Sequence, residues 1–308
     1  MKKRMMSAVL AGGMCLSMAA CGSSASTSTT TAAAADAQTE TTAAAEEASA
    51  ESGNSGVEDG VLSIAMECAY APYNWAQPDD SNDAVPIADS DQYANGYDIM
   101  IAKKICEANG WQLEVHQLDW DSLIPAVQSG TVDAVIAGQS MTAERAEQVD
   151  FAGPYLYASI VCLTKKDSKF AEAKGISDLT GGSCTSQMGT IWYDTCLPQI
   201  QDAKIQTAAE SAPAMLMSLE TGAVDFVCTD MPTAQGAVSA YPDMMILDFS
   251  DSDDNFQVSD EDINIGISVR KGNTELKDKI NDVVGSMTKD DFNSIMADAI
   301  KIQPISEG

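Results

Sequence analysis

The sequence predicts an α/β protein built as two similar lobes with strands passing between them. Three observations predict it. Across residues 61–137 short apolar, β-rich runs alternate with helical stripes, the pattern of a parallel sheet. The stretch Ser-Gly-Thr-Val-Asp-Ala-Val-Ile (129–136) returns in style as Glu-Thr-Gly-Ala-Val-Asp-Phe-Val (220–227), so the unit occurs twice. An apolar run at 157–165 leaves the first unit, and another at 263–269 returns to it.

The elements follow in order. Residues 61–66 form a first strand, and the loop 67–75 leaves its C-terminal end. In open α/β sheets ligands gather outside the carboxyl ends of strands, which places Glu67, Tyr70 and Trp75 to line a cleft. Tyr73 reads as a core plug; for Trp75 both readings stay open. Residues 77–94, acidic and broken by Pro78 and Pro86, read as an exposed, irregular insertion. A helix covers 96–110, with apolar positions 99, 101, 105 and 106 and a stop at Asn109-Gly110. Strand 112–117 leads to Asp119, an expected N-cap for a helix through Leu123, Ile124 and Val127 that ends at Gly130. Trp120 then faces the same strand-end side as Tyr70.

Strand 132–137 stops at Gly138. Ser140 and Thr142 suit a helix start, where free backbone N–H groups attract anions. Arg145 adds a planar charged fork that fits a carboxylate. This stretch reads either as a carboxylate receptor or as an ordinary strand–helix turn with a surface arginine. Residues 150–155 punctuate the chain before the crossing strand 157–165.

In the second lobe a short helix opens at 176–179 and a polar strand covers 183–187. Residues 188–192 make a glycine turn into a helix, a second candidate anion site. A weak strand at 205–207, a helix at 212–220 and a strand at 224–228 follow, with Thr229 and Asp230 at the end of the last. The acidic run 248–262 lacks the glycine turn of a calcium loop and reads as a solvated loop. After the returning strand, residues 273–301 read as helical up to Pro304. His116, the single histidine, reads as structural, which leaves no histidine base for catalysis.

Composition narrows the function classes. The chain has 308 residues, 45% of them hydrophobic, and a formal charge of −29. Nothing in such a chain neutralises phosphates, which excludes nucleic acid as a partner. Lys2-Lys3-Arg4, the apolar stretch 5–18 and Ala19-Ala20 before Cys21 form a secretion signal; an uncleaved membrane anchor is the alternative, but the run is short for a span. Residues 22–56 are Ser, Thr, Ala and Glu with almost no large apolar side chain, an expected disordered linker. Six cysteines remain beyond Cys15 and Cys21, none in a zinc spacing; Cys184 and Cys196 are the one pair considered for a disulfide. No metal or cofactor is expected.

Together these segments resemble the bacterial extracellular solute-binding proteins of the polar amino-acid type, the receptors of ABC importers. The resemblance spans about residues 61–301. It rests on Gly96-Tyr97-Asp98-Ile99-x-Ile101-x-x-x-Ile105-Cys106, with Met100 where an acidic residue is usual. Ala69-Tyr70-Ala71-Pro72-Tyr73, Asp119-Trp120-Asp121, Ser140-Met-Thr-Ala-Glu-Arg145, Phe151-Ala-Gly-Pro-Tyr155 and Arg270-Lys-Gly-Asn complete the order. The N-terminus resembles a lipoprotein signal with Cys21 as the lipidated first residue, although Met18 departs from its usual pattern.

The resemblance implies a two-lobed periplasmic-binding-protein fold (type II) with two crossover strands. Residues 57–156 and 258–308 would form one lobe, and 157–257 the other. It implies that Arg145 pairs with a ligand carboxylate, with Ser140 and Thr190 as donors, and that Asp230 binds the ammonium. Tyr70 and Trp120 would sandwich the side chain, the backbone near Ala137 and Gly138 would add contacts, and Glu67 would favour a basic or polar side chain. Ser is common in the family at Gly138, so a hydroxyl contact is expected to be missing there. The expected partners are an amino acid and the permease of an importer, for a monomer anchored to the membrane outside the cytoplasm. The rival function is an enzyme on the same scaffold, similar to cyclohexadienyl dehydratase, with Glu67 as its acid; a receptor's sensor domain is a third.

Overall fold

The computed structural model describes residue 57 and residues 59–304. The signal segment, Cys21 and the linker 22–56 lie outside the described residues. The first half of the chain runs through β1 (Val61–Met66), β2 (Ala69–Tyr70), β3 (Asn74–Gln77), β4 (Val85–Pro86) and β5 (Tyr93–Asn95). It continues through α1 (Tyr97–Asn109), β6 (Gln112–Gln117), α2 (Leu123–Ser129), β7 (Ala134–Val135), α3 (Ala143–Gln148) and β8 (Val149–Tyr157). Next come β9 (Ile160–Lys165), β10 (Ser183–Thr185), β11 (Lys204–Ile205), α4 (Ala212–Glu220), β12 (Phe226–Asp230), α5 (Met231–Ala240) and β13 (Met244–Leu247). The chain finishes with α6 (Asp260–Ile263), β14 (Asn264–Arg270), α7 (Thr274–Val284) and α8 (Lys289–Ile302).

The fold is α/β and two-lobed. One sheet has the order β6-β1-β7-β14-β8, the other β11-β10-β12-β9-β13. In the first, β1 runs parallel to β6 and β7, and β14 returns antiparallel to β7 and β8. In the second, β10 runs parallel to β11 and β12, and β9 is antiparallel to β12 and β13. Each sheet thus has three parallel strands flanked by strands of the crossing segments.

The repeat read from the sequence has a physical basis. Asp133 accepts from the Ser63 backbone N–H at 2.9 Å and hydroxyl at 2.7 Å. In the other lobe Asp225 accepts from the Ser183 N–H at 2.8 Å and hydroxyl at 2.9 Å. One Val-Asp motif therefore ties the same pair of strands in both lobes.

Several expectations are corrected. Residues 77–94 are only partly exposed: β2, β3, β5 and β4 form a small sheet, Ala94 of β5 is buried, and Ile87 is buried where it bridges to Val115 of β6. Tyr73 is buried, as expected of a core plug, and Trp75, for which both readings stood open, is buried too. Only Ala134 and Val135 of the run 132–137 are assigned as strand. The punctuation at 150–155 falls inside β8, and the expected strand 157–165 is split, with β9 starting at Ile160. The Asp119 side chain makes no capping bond; it precedes a 3-10 turn, Trp120–Ser122, and α2 starts afterwards. The C-terminal helix is two helices, because Thr288 and Asp291 form a capping box that restarts it. Cys184 and Cys196 are both free and buried. The helix α5 and strand β13 are not among the expected elements: α5 has a glycine at 236 and a weak apolar stripe, while the cap and proline at 230–232 and the apolar run 244–247 were usable signals.

Replacing Asp225 with Ala is expected to lower the unfolding free energy by about 1–3 kcal/mol, since two donors on Ser183 lose a charged acceptor. Urea denaturation followed by far-UV circular dichroism checks it; an unchanged midpoint would show the clamp to be incidental.

Candidate functional site

The two lobes meet where the parallel strands end. Tyr70, Trp120, Gly138, Ser140 and Arg145 of the first lobe and Gln187, Thr190 and Trp192 of the second line one small cavity of about 10 Å³. That is room for about one water. An outer cleft of about 530 Å³ adjoins it, sharing Trp120, Arg145 and Thr190, with Asp121, Glu144, Asp194 and Asp262 in its wall.

Asp230 caps α5 and is fully buried. Its carboxylate accepts from the Thr233 N–H at 2.8 Å on its own helix. From the first lobe it accepts the Tyr70 hydroxyl at 3.1 Å and the Tyr73 hydroxyl at 3.0 Å. Burial raises its pKa, and these donors oppose the rise. The Tyr70 and Tyr73 rings stack at 4.8 Å. Gly138 sits beneath them with φ +65°, and a Cβ there would meet the Tyr70 ring at 2.9 Å. The missing hydroxyl at Gly138 therefore has a cause: the stacked tyrosines occupy that space.

Arg145 bridges the seam. It donates to the Ser140 carbonyl at 2.9 Å in its own lobe and to the Gly189 carbonyl at 2.9 Å in the other. Its guanidinium lies 5.4 Å from the Trp120 ring centre. Removal of water lowers its pKa to about 10, against the pull of Glu144, so it stays charged at neutral pH. Thr142 caps α3 by accepting from the Arg145 N–H, so one of the free helix-start donors is already used. Thr190 donates its hydroxyl to the Gln187 carbonyl at 2.7 Å.

Glu67, at the end of β1, is buried and receives the Gln187 carboxamide N–H at 3.2 and 3.4 Å. Burial raises its pKa to about 7; Gln187 lowers it, and the charges of Asp119 and Asp121 raise it further. A third buried carboxyl, Asp98 on α1, accepts from Tyr155 at 2.6 Å and from Asn74 at 2.8 Å. Its pKa is also raised by burial to about 7. Tyr155 in turn accepts the Gly138 N–H at 3.0 Å, so Asp98 helps fix the cavity floor.

Six of the nine expected ligand residues thus line one cavity. Glu67 and Asp230 stand one hydrogen bond behind it, through Gln187 and Tyr70. Ala137 is buried and does not line it. Sequence reading missed Gln187, Trp192 and Asp98. The first two flank Gly189, whose turn at a strand end was a usable signal; Asp98 stands in the family signature but had no expected role at the site.

The model of one family matches residues 62–298, most of the chain. The chain belongs to the bacterial extracellular solute-binding proteins, family 3. It is 27% identical over 185 residues to a "Probable histidine-binding protein" of Campylobacter jejuni, covering 60% of this chain and 66% of that protein. It is 24% identical over 233 residues to the L-cystine-binding protein TcyJ of Escherichia coli K12, covering 76% and 79%. A solved ancestral arginine-binding protein, bound to arginine, superposes with a TM-score of 0.60 at 30% identity, covering 78% of this chain and 97% of that one. Among the described residues no helix is long and apolar enough to cross a membrane.

The raised pKa of Glu67 has a stability consequence. Its folded-state value of about 7 lies above the ordinary 4.5, so the fold favours the protonated form. Stability contributed this way is fully present below about pH 4.5 and is lost as the pH rises to about 7, a loss of about 3 kcal/mol. Glu67→Gln is expected to flatten that part of the pH–stability curve, measured by denaturation at several pH values; an unchanged slope would mean that Glu67 is an ordinary carboxylate.

Proposed function

We propose that this protein is the extracytoplasmic substrate-binding component of an ABC importer. It captures an amino acid, one with a basic side chain, between lobes that close on it. It acts as a monomer held to the membrane by a lipid on Cys21. Residues 57–156 with 258–308 move as one lobe, and 157–257 as the other.

The observation that carries this reading is the placement of opposite charges from opposite lobes. Arg145 comes from the first lobe, Asp230 from the second, and both act at one cavity, Arg145 directly and Asp230 through Tyr70. A zwitterion leaving water needs both charges paired. Arg145 offers a fork for the carboxylate and Asp230 an acceptor for the ammonium. A ligand that joins Arg145 to Asp230 adds contacts to both lobes at once and so favours the closed arrangement, which is closure by differential affinity. The same ligand would replace the bonds that Arg145 now makes to Gly189 and Asp230 to the tyrosines.

Charge balance supports a basic side chain. Asp98 is served by Tyr155 and Asn74. Among the described residues neither Asp98 nor Glu67 has a counter-charge, but Asp98 has two short donors away from the seam, whereas Glu67 at the seam has one long carboxamide contact, with Asp119 and Asp121 of like sign nearby. A guanidinium or ammonium supplies that charge. The acidic wall of the outer cleft and the overall charge of −29 draw cations toward the entrance. Relatives named for histidine and arginine are consistent with this, and the cystine-binding relative marks the breadth of the family.

A thermal-shift screen of the twenty amino acids with ornithine, citrulline and cystine tests the reading. At a hundredfold excess over Kd a true ligand adds about 2.7 kcal/mol to the unfolding free energy. Arg145→Ala and Asp230→Asn are each expected to abolish the shift. Absence of a shift with every amino acid would overturn the proposal.

A further inference from the structure

We propose that Gln187 is a selectivity-determining residue: it stands in for a ligand's side-chain cation at Glu67, so that the lobes also close on amino acids without one. The inference deepens the receptor reading above and rests on it. Gln187 belongs to the second lobe, Glu67 to the first, and their contact is made across the seam. Gln187 is almost fully buried and lines the same cavity as Tyr70, Trp120 and Arg145. Its main chain is anchored by the Thr190 hydroxyl at 2.7 Å and by a bridge to Ala209. The carboxamide is therefore presented to Glu67 by an anchored backbone, so releasing Glu67 requires only a turn of the Gln187 side chain.

The contact has the character of a replaceable partner. One N–H group is shared between both carboxylate oxygens at 3.2 and 3.4 Å. That is longer than the usual 2.9–3.0 Å, and the donor carries no charge. A guanidinium or ammonium would approach to about 2.7–2.9 Å and bind about twice as strongly. A cationic side chain therefore takes Glu67 from Gln187. With an uncharged side chain in the cavity, Gln187 keeps Glu67, and the buried carboxyl still has a donor when the lobes close. Without Gln187, closure on a neutral ligand would leave Glu67 with no donor among the groups that now serve it.

The test uses Glu67→Gln, Gln187→Ala and the double variant, with affinities for arginine or lysine, whichever binds the wild type more tightly, and for norleucine. Norleucine has the carbon chain of lysine without the ammonium. Gln187→Ala is expected to weaken norleucine about tenfold more than the cation. The double-mutant cycle should show coupling between positions 67 and 187 with norleucine bound and none with the cation bound. Equal coupling with both ligands, or norleucine binding too weak to measure in the wild type, overturns the role of Gln187 and leaves the receptor reading standing. If no amino acid binds the wild type, the receptor reading fails and this inference with it.

A second measurement on the wild type keeps the proposal testable should the variants not fold. The groups facing Glu67 are Asp119 and Asp121 on the turn before α2, Cys68 and Tyr70 on its own loop, and Gln187 opposite. None is a cation. Titration calorimetry near pH 6.5 in buffers of different ionisation enthalpy should therefore detect proton release when the cationic ligand binds, as Glu67 ionises against it, and none with norleucine. Equal proton exchange for both ligands contradicts the exchange at Glu67.

Discussion

A carboxylate taken out of water must find donors, and Asp230 finds them on both sides of the seam. Thr233 serves it from its own helix, Tyr70 and Tyr73 from the other lobe. Most of the site geometry depends on that arrangement. The two hydroxyls draw their rings into a stack, and the stack needs the space that a side chain at position 138 would fill. Tyr73 packs edge-on against Tyr97, Tyr97 stacks on Tyr155, and Tyr155 meets Asp98. Asp98 reaches back through Asn74 to the Cys68 N–H, which fixes the loop that carries Glu67 and Tyr70. A single buried charge at the lobe boundary thus organises aromatic rings, a glycine and a second buried carboxyl 132 positions earlier in the chain.

The cleft owes its contents to strand direction. Glu67 follows β1, Gly138 and Ser140 follow β7, Gln187 follows β10 and Asp230 ends β12, all at the carboxyl ends of parallel strands. The two sheets present these ends to each other, so residues scattered over 160 positions meet at one cavity. The Ser–Asp clamps at Ser63–Asp133 and Ser183–Asp225 tie β1 and β10 to the residues just before β7 and β12 and hold their register. Polar groups on each wall find partners on the other: Arg145 at Gly189, Gln187 at Glu67, Tyr70 at Asp230. Each of these bonds spans the two lobes, so the seam is held by polar groups that line or back the cavity.

Much of this was legible in the sequence. The helical stripe of α1, the strand runs of β1, β6 and β14, and the repeated Val-Asp motif carry strong periodic signals, because a half-buried helix and a buried strand each impose their own spacing of apolar residues. Arg145 could be singled out because it stands in the first turn of a helix that follows a buried strand, and Asp230 because it ends a buried strand, where a charge has few structural reasons to be. Weak local signals were lost. The helix α5 has a glycine in its interior and only a short apolar face, and it forms because Asp230 caps it, Pro232 suits its first turn and that face packs on the second sheet. The Thr288 capping box was visible in principle, but the apolar stripe runs through the break and masked it.

The sequence by itself determined the order of elements, the duplication and the residue types that could meet an amino acid's two charges, since those follow from local periodicity and from the chemistry of single side chains. Only the tertiary structure decided which of them face one another. Strand crossing brings Glu67 against Gln187 and Tyr70 against Asp230, pairs 120 and 160 positions apart. It also decided how strongly each group is removed from water, and hence why burial pushes the pKa values of Glu67 and Asp98 up to about 7 while Arg145 keeps its charge. Burial and cross-lobe contact belong to the packed chain as a whole, and no local stretch encodes them.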